Sequence, residues 1–138
     1  MMDIDDLKAA TCSVLQYHAD ALVCAYLFGS VARGEASTGS DIDLGLLYRD
    51  TPPATLEGLG IDLADELKKE LKRPVDIVVL NRASPDLVHR VLRDGILLVE
   101  NDRSARVRFE VKSRSDYFDV LPYLREYRRH AREHDGRR

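Results

Sequence analysis

The chain has 138 residues, of which 44% are hydrophobic and 33% charged, with a formal net charge of −3; this is the composition of a folded globular protein, not a disordered one. Apolar runs such as 77–80 and 96–99 fall far short of the roughly 20 residues of a membrane span, and the acidic start Met1-Met2-Asp3-Ile4-Asp5-Asp6 has no apolar leader stretch, so a cytoplasmic protein without a secretory signal is expected. The length leaves room for one domain, 1–138, and excludes a large multidomain enzyme, so any large substrate must be held in part by something else.

In chain order, Ile4, Leu7, Thr11, Val14, Leu15, His18 and Leu22 recur at three- and four-residue steps, which predicts an amphipathic helix over 4–22 with Asp3 as its N-cap. Residues 23–28 form a short apolar run of strand formers closed by Gly29-Ser30, and 31–35 can make a turn or two of helix. Cys12 and Cys24 fall in the helix and the strand, without CxxC spacing, and read as small buried hydrophobes. A second strand is predicted over 41–48, where Ile42, Leu44 and Leu46 alternate with Asp41, Asp43 and Gly45. Thr51-Pro52-Pro53 breaks the chain. A helix over 54–72 carries Leu56, Leu59, Leu63, Leu67 and Leu71 in one stripe, and 74–80 is a third strand. Ser84 as N-cap and Pro85 at the first position start a further helix that ends at Gly95, read as its C′ residue. Residues 95–100 are a fourth strand. A last helical stretch runs from about 103 to 134, where Pro122 should kink or interrupt it. The alternation predicts an α/β (α+β) fold, with a small sheet flanked by helices and a long C-terminal helical segment.

Charge is unevenly spread. Residues 1–100 hold 10 Lys and Arg against 17 Asp and Glu, whereas 101–138 hold 11 against 7. The tail carries Arg125, Arg128, Arg129, Arg132, Arg137 and Arg138, which suits either an acidic partner surface or simply the solvated end of a helix. Tyr117, Phe118, Val120, Leu121, Leu124 and Tyr127 form an aromatic-rich stripe that can pack on the sheet or form part of a partner groove. His130-Ala131-Arg132-Glu133-His134 matches a zinc-protease pattern, but it stands in a charged tail with no downstream third ligand and reads as a chance match. His18 and His89 read as ordinary helix residues.

The residues that carry chemistry lie in Leu27-Phe28-Gly29-Ser30-Val31-Ala32-Arg33-Gly34-Glu35 and in Ser40-Asp41-Ile42-Asp43-Leu44. A glycine and serine between a strand and a helix let the backbone approach a ligand and offer N–H and hydroxyl donors to an anion. Asp41 and Asp43 leave the same face of a strand, where like charges repel unless a cation lies between them; such oxygen ligands suit Mg²⁺ with substrate phosphates. Asp76 is the one charged residue of an otherwise apolar strand, which is costly unless it is paired, coordinated or at a sheet edge. Beside the second strand it would join Asp41 and Asp43, as a third metal ligand or as a general base.

Gly29-Ser30, ten residues, then Asp41-Ile42-Asp43 resembles the signature of the DNA polymerase β-like nucleotidyltransferases, and the string 29–44 is similar to the small prokaryotic branch, the minimal nucleotidyltransferases (MNT). The element order fits most of the chain; the tail beyond about 103 matches no motif. The resemblance implies a nucleotidyltransferase fold with a small mixed sheet. It implies that Gly29 and Ser30 hold the phosphates of ATP and that Asp41, Asp43 and Asp76 form the Mg²⁺ and catalytic site. Arg33 either touches phosphate or fixes its loop. MNT proteins pair with HEPN-domain toxins in toxin–antitoxin modules, so the resemblance implies an antitoxin that transfers AMP to a tyrosine of a HEPN ribonuclease, with 103–138 as a partner-binding extension. The alternatives are transfer to a small molecule such as an aminoglycoside, and a non-catalytic antitoxin that occludes its partner. The chain is not itself a HEPN toxin: Arg125 and His130 have the spacing, but Arg132 stands where a tyrosine is needed. Direct nucleic-acid binding is not expected.

Overall fold

The computed structural model describes residues 3–34, 40–53, 55 and 60–135. Helix α1 (Ile4–Leu15) starts at Asp3, whose carboxylate accepts the Asp6 N–H at 2.8 Å, and it runs into a 3₁₀ turn, Gln16–His18. The first helix thus ends earlier than its apolar spacing suggests. Then follow β1 (Leu22–Phe28), a short α2 (Gly29–Ala32), β2 (Ile42–Tyr48), α3 (Ile61–Leu71), β3 (Val75–Val79), α4 (Pro85–Asp94), β4 (Ile96–Glu100) and α5 (Arg103–Asp135). Leu56, Leu59 and Gly39 lie outside the described residues, as do Arg137 and Arg138.

The four strands form a mixed sheet in the order β3-β2-β1-β4, with β1 antiparallel to both neighbours and β2 parallel to β3. Each face is covered. Leu27, Ile42, Leu44 and Leu46 point to one side and meet Leu7 and Leu15 of α1 and Leu63, Leu67 and Leu71 of α3. Cys24, Tyr26 and Leu47 point to the other side, against Val88 and Val91 of α4 and Phe109 of α5. A bulge between Leu22 and Cys24 resets the alternation within β1. Among the described residues no helix is long and apolar enough to cross a membrane.

Both caps of α4 have local causes. The Ser84 hydroxyl accepts the Leu87 N–H at 3.3 Å, and Pro85 sits at the first turn. Gly95 is not left-handed, as a C′ residue would be; its φ is −77°, and a Cβ there would run into the Val91 carbonyl. At β2 the missing side chain of Gly45 matters more. A Cβ there would come within 3.2 Å of Leu80 and 3.3 Å of Val91, so glycine lets α4 lie close over the strand.

Pro122 lies inside α5 without interrupting it. The ring removes one N–H, and Phe118, whose carbonyl loses that donor, is exposed, so water can replace the bond. The base of α5 is tied to the sheet by polar groups, of which Tyr26 is buried. Tyr26 donates to Glu110 at 2.6 Å, and Arg106 reaches Glu110 at 2.8 Å and Glu100 at 3.3 Å. Burial, then the bond to Glu110, raises the Tyr26 phenol well above its ordinary range. Both cysteines are free, and burial pushes the Cys24 thiol up to about 11.

Candidate functional site

The site forms where β1 ends. Gly29 has φ +76°, a left-handed conformation that only glycine adopts without strain. A Cβ at this position would also collide with the carboxylate of Asp43. The turn and the acid are therefore in direct contact, and glycine is required twice over. Phe28 pairs with Asp43 across the antiparallel ladder, which fixes the height of the acid on β2.

Asp43 lies opposite Asp76 in the parallel β2–β3 register. Both side chains leave the same face of the sheet, on strands about 4.8 Å apart. Asp41 precedes β2 and is exposed, while Ile42 and Leu44 on either side of Asp43 are fully buried. The backbone at Ser40–Ile42 is held by residues before β3. Arg73 donates from Nε at 3.1 Å and from its terminal nitrogen at 2.6 Å to the Ser40 carbonyl, and the Ile42 N–H donates to the Pro74 carbonyl at 2.9 Å. Asp76 is exposed on an edge strand, so solvent meets the cost of its charge. Its alignment with Asp43, and not an unmet burial cost, is what singles it out.

Electrostatics separate the three acids. Burial, then the charges of Asp76 and Asp41, raise the Asp43 carboxyl above its ordinary value, and the nearby Arg33 works against that rise. Asp43 thus stands between two like charges and one cation.

A cavity of about 420 Å³ opens over these groups. Gly29, Asp43 and Asp76 line it together with Arg33 and the α4 residues Arg90, Arg93 and Asp94. Arg93 is held by Asp94 at 2.8 Å, whereas Arg90 has no hydrogen bond or ion pair among the described residues. Sequence reading missed Arg90, Arg93 and Arg73. The first two stand three apart on α4, a spacing that puts them on one helix face, but which face meets the cleft depends on how α4 crosses β2.

Carboxylates and guanidinium groups around one cavity can hold a polyanion together with a cation. Among the described residues no three acidic side chains close around one point. The donor set still fits Mg²⁺, which takes one or two carboxylates and completes its octahedron with water and phosphate oxygens. The fit rests on Asp43, whose carboxyl is raised by its acidic neighbours and so has a deficit that a cation would relieve. Of the residues named from the sequence, Gly29 and Arg33 line this cavity, at the start and the C-cap of α2, and Ser30 follows Gly29 in that helix. Of the HxxEH match, only the His130 and Glu133 side chains are described. His130 faces Glu126 at 3.0 Å and Glu133 at 3.9 Å on exposed α5, and the His134 side chain lies outside the described ones.

The sequence profile of the family "Polymerase beta, Nucleotidyltransferase" matches residues 12–104. Protein adenylyltransferase MntA of Shewanella oneidensis is 36% identical over 93 residues, which are 67% of this chain and 63% of that protein's length. One chain of a toxin–antitoxin crystal structure with AMP-PNP superposes with a TM-score of 0.73 at 28% identity, covering 95% of this chain and 98% of that one. A structure of tri-AMPylated Shewanella oneidensis HEPN toxin with MNT antitoxin contains a chain that matches with a TM-score of 0.68 at 26% identity, over 96% and 97% of the two chains.

Proposed function

The chain belongs to the polymerase beta nucleotidyltransferase family, and from that premise we propose that it is a Mg²⁺-dependent adenylyltransferase and antitoxin, which transfers AMP from ATP to a tyrosine hydroxyl of a HEPN-domain toxin in the cytoplasm. The observation that carries the reading is the shared cavity: Asp43 and Asp76, in register on adjacent strands, line it together with Arg33, Arg90 and Arg93. A chain that merely occluded its partner would have no use for this arrangement.

Arg33, Arg90 and Arg93 draw in the triphosphate and hold its charge. Gly29 and Ser30 let the phosphates approach the start of α2. Asp41 and Asp43 are the residues that would hold Mg²⁺, which when bound would supply positive charge for the phosphates and for the acceptor hydroxyl. Asp76, exposed at the sheet edge, accepts the proton as the acceptor oxygen bonds to the α-phosphorus and pyrophosphate leaves.

The partner must supply the acceptor. Beyond the sheet, α5 continues with Tyr123 77% and Tyr127 74% exposed, next to Arg125, Arg129 and Arg132. Tyrosine and arginine together are the residues that anchor protein interfaces, which supports residues 103–138 as the partner-binding extension of a single catalytic domain. MntA, named as a protein adenylyltransferase, and the neighbours from toxin–antitoxin complexes support the same partner class.

Co-expression with the toxin tests this reading. The wild-type chain is expected to rescue growth, and Asp41→Asn/Asp43→Asn to form the complex without rescuing. Rescue by the double variant would instead mean neutralisation by occlusion.

A further inference from the structure

Asp41 lies just outside the sheet. The β2–β3 pairing starts at Ile42 opposite Val75 and the β1–β2 pairing reaches only to Asp43, so among the described residues no strand pairing fixes Asp41 itself, and the residue is exposed. Yet both peptide planes that flank it are held by the short connection between α3 and β3. The Ser40 carbonyl, which shares a plane with the Asp41 nitrogen, accepts from Arg73 Nε at 3.1 Å and from a terminal nitrogen of the same guanidinium at 2.6 Å. The Ile42 N–H, which shares a plane with the Asp41 carbonyl, donates to the Pro74 carbonyl at 2.9 Å. A residue has two soft backbone angles, and these are the rotations of its two peptide planes about Cα. Holding both planes therefore sets the direction in which Asp41 leaves the chain.

The connection has an unusual backbone. Lys72, at the end of α3, has φ +56° and is the one non-glycine residue with a positive φ among the described residues. Glycine is the usual residue at such a helix end. The left-handed turn leads straight into Arg73 and Pro74, the two residues that hold Ser40 and Ile42. A disfavoured backbone persists only where its surroundings impose it, and such positions collect at functional sites.

We propose that Arg73 is a positioning residue for Asp41: its fork on the Ser40 carbonyl fixes the direction in which the Asp41 carboxylate meets the metal ion, an inference that rests on the Mg²⁺ reading above. Two points favour this role over that of a plain strut. Strand β2 is already paired with β3 from Ile42 to Leu46 and with β1 from Asp43 to Tyr48, so it keeps its place without a tie at residue 40. The tie acts on the segment beyond the ladder, which is where Asp41 stands. The sign of the charge is the second point. By charge alone Arg73 would oppose a divalent cation held one residue beyond Ser40, so what it can give the ion is geometry. Mg²⁺ demands near-ideal octahedral geometry, and groups that orient its ligands are typically worth about 10–100-fold in metal affinity.

Calorimetric titration of ATP into the full chain, once with Mg²⁺ and once in EDTA, tests this without any transfer step. Wild type is expected to bind ATP more tightly with Mg²⁺, and Asp41→Asn/Asp43→Asn to lose that gain. Arg73→Ala should lower ATP affinity with Mg²⁺ by about tenfold and leave the affinity in EDTA unchanged. Arg73→Lys keeps the charge and loses the fork. It should fall short of wild type in the same way, at an unaltered urea midpoint, and it carries the test if Arg73→Ala does not fold. An unchanged Mg²⁺ gain in the Arg73 variants would overturn the proposal, and a larger gain would do so by showing that Arg73 acts through its charge. Equal loss of affinity with and without Mg²⁺ would overturn it too, by making Arg73 a strut of the whole cleft. A wild type with no Mg²⁺ gain, or a double variant that keeps the gain, would overturn the metal reading itself and the proposal with it.

Discussion

At the residue scale, Asp43 is held in a setting that raises its carboxyl for three reasons: burial, Asp76 and Asp41. Its proton is bound more tightly in the folded chain than in the unfolded one. This group therefore favours folding below the ordinary carboxylate pKa of about 4, and that contribution is lost as pH rises through the raised value. Asp43→Asn removes the penalty, so without Mg²⁺ it should raise the Tm at neutral pH. Thermal melts between pH 3 and pH 8 should show the gap between variant and wild type closing on the acid side, and added Mg²⁺ should stabilise wild type alone. Gly29→Ala has the opposite effect. It puts a Cβ into both a left-handed turn and the Asp43 carboxylate, so a loss of about 2 kcal/mol or more is expected in urea titrations, along with weaker nucleotide binding. The place of Asp43 between the inward-facing Ile42 and Leu44 was legible in the sequence because strand alternation is a local property, whereas Asp41 lies just before the strand. That Gly29 touches Asp43 was not legible, since the contact depends on the β1–β2 register.

At the element scale, the strands and helices could be read from apolar periodicity and caps, because Asp3, Ser84 and Pro85 act within a few residues of their own positions. That β3 lies beside β2 entered the sequence reading only as the condition for Asp76 to join Asp43, because strand order leaves no mark in a single strand. Other features escaped altogether, for non-local reasons. The presentation of Arg90 and Arg93 depends on α4 lying over Gly45. The joint between α5 and the sheet was equally hidden, since Tyr26, Glu100, Arg106 and Glu110 meet from three elements. Glu110→Ala leaves the half-enclosed Arg106 guanidinium and the Tyr26 hydroxyl short of an acceptor, and should cost about 2 kcal/mol. Tyr26→Phe removes one hydrogen bond and should cost about 1 kcal/mol. The urea midpoints of the two variants, at unchanged slope, check both values.

At the scale of the whole molecule, a complete cleft sits on a chain of 138 residues with a 33-residue final helix. In the aromatic-rich stripe of that helix Tyr117 stacks on His89, while Phe118 and Tyr127 are exposed, as is Tyr123 outside the stripe. Tyr123→Ala/Tyr127→Ala should leave the melting temperature and ATP affinity unchanged and weaken toxin binding at least tenfold in a pull-down titration. Of the basic residues of α5, Arg106 is spent on the sheet joint and Arg128 reaches Asp86 of α4 at 3.0 Å, while Arg125, Arg129 and Arg132 are exposed near those tyrosines. The central claim is nucleotidyl transfer at the Asp41–Asp43 site, and the most direct test is label transfer to the toxin from ATP carrying the isotope at either the α- or the γ-phosphate. With Mg²⁺, α-label should appear on the toxin and γ-label should not, and Asp41→Asn/Asp43→Asn should transfer neither; γ-label on the toxin, or α-label transferred by the double variant, would contradict the assignment.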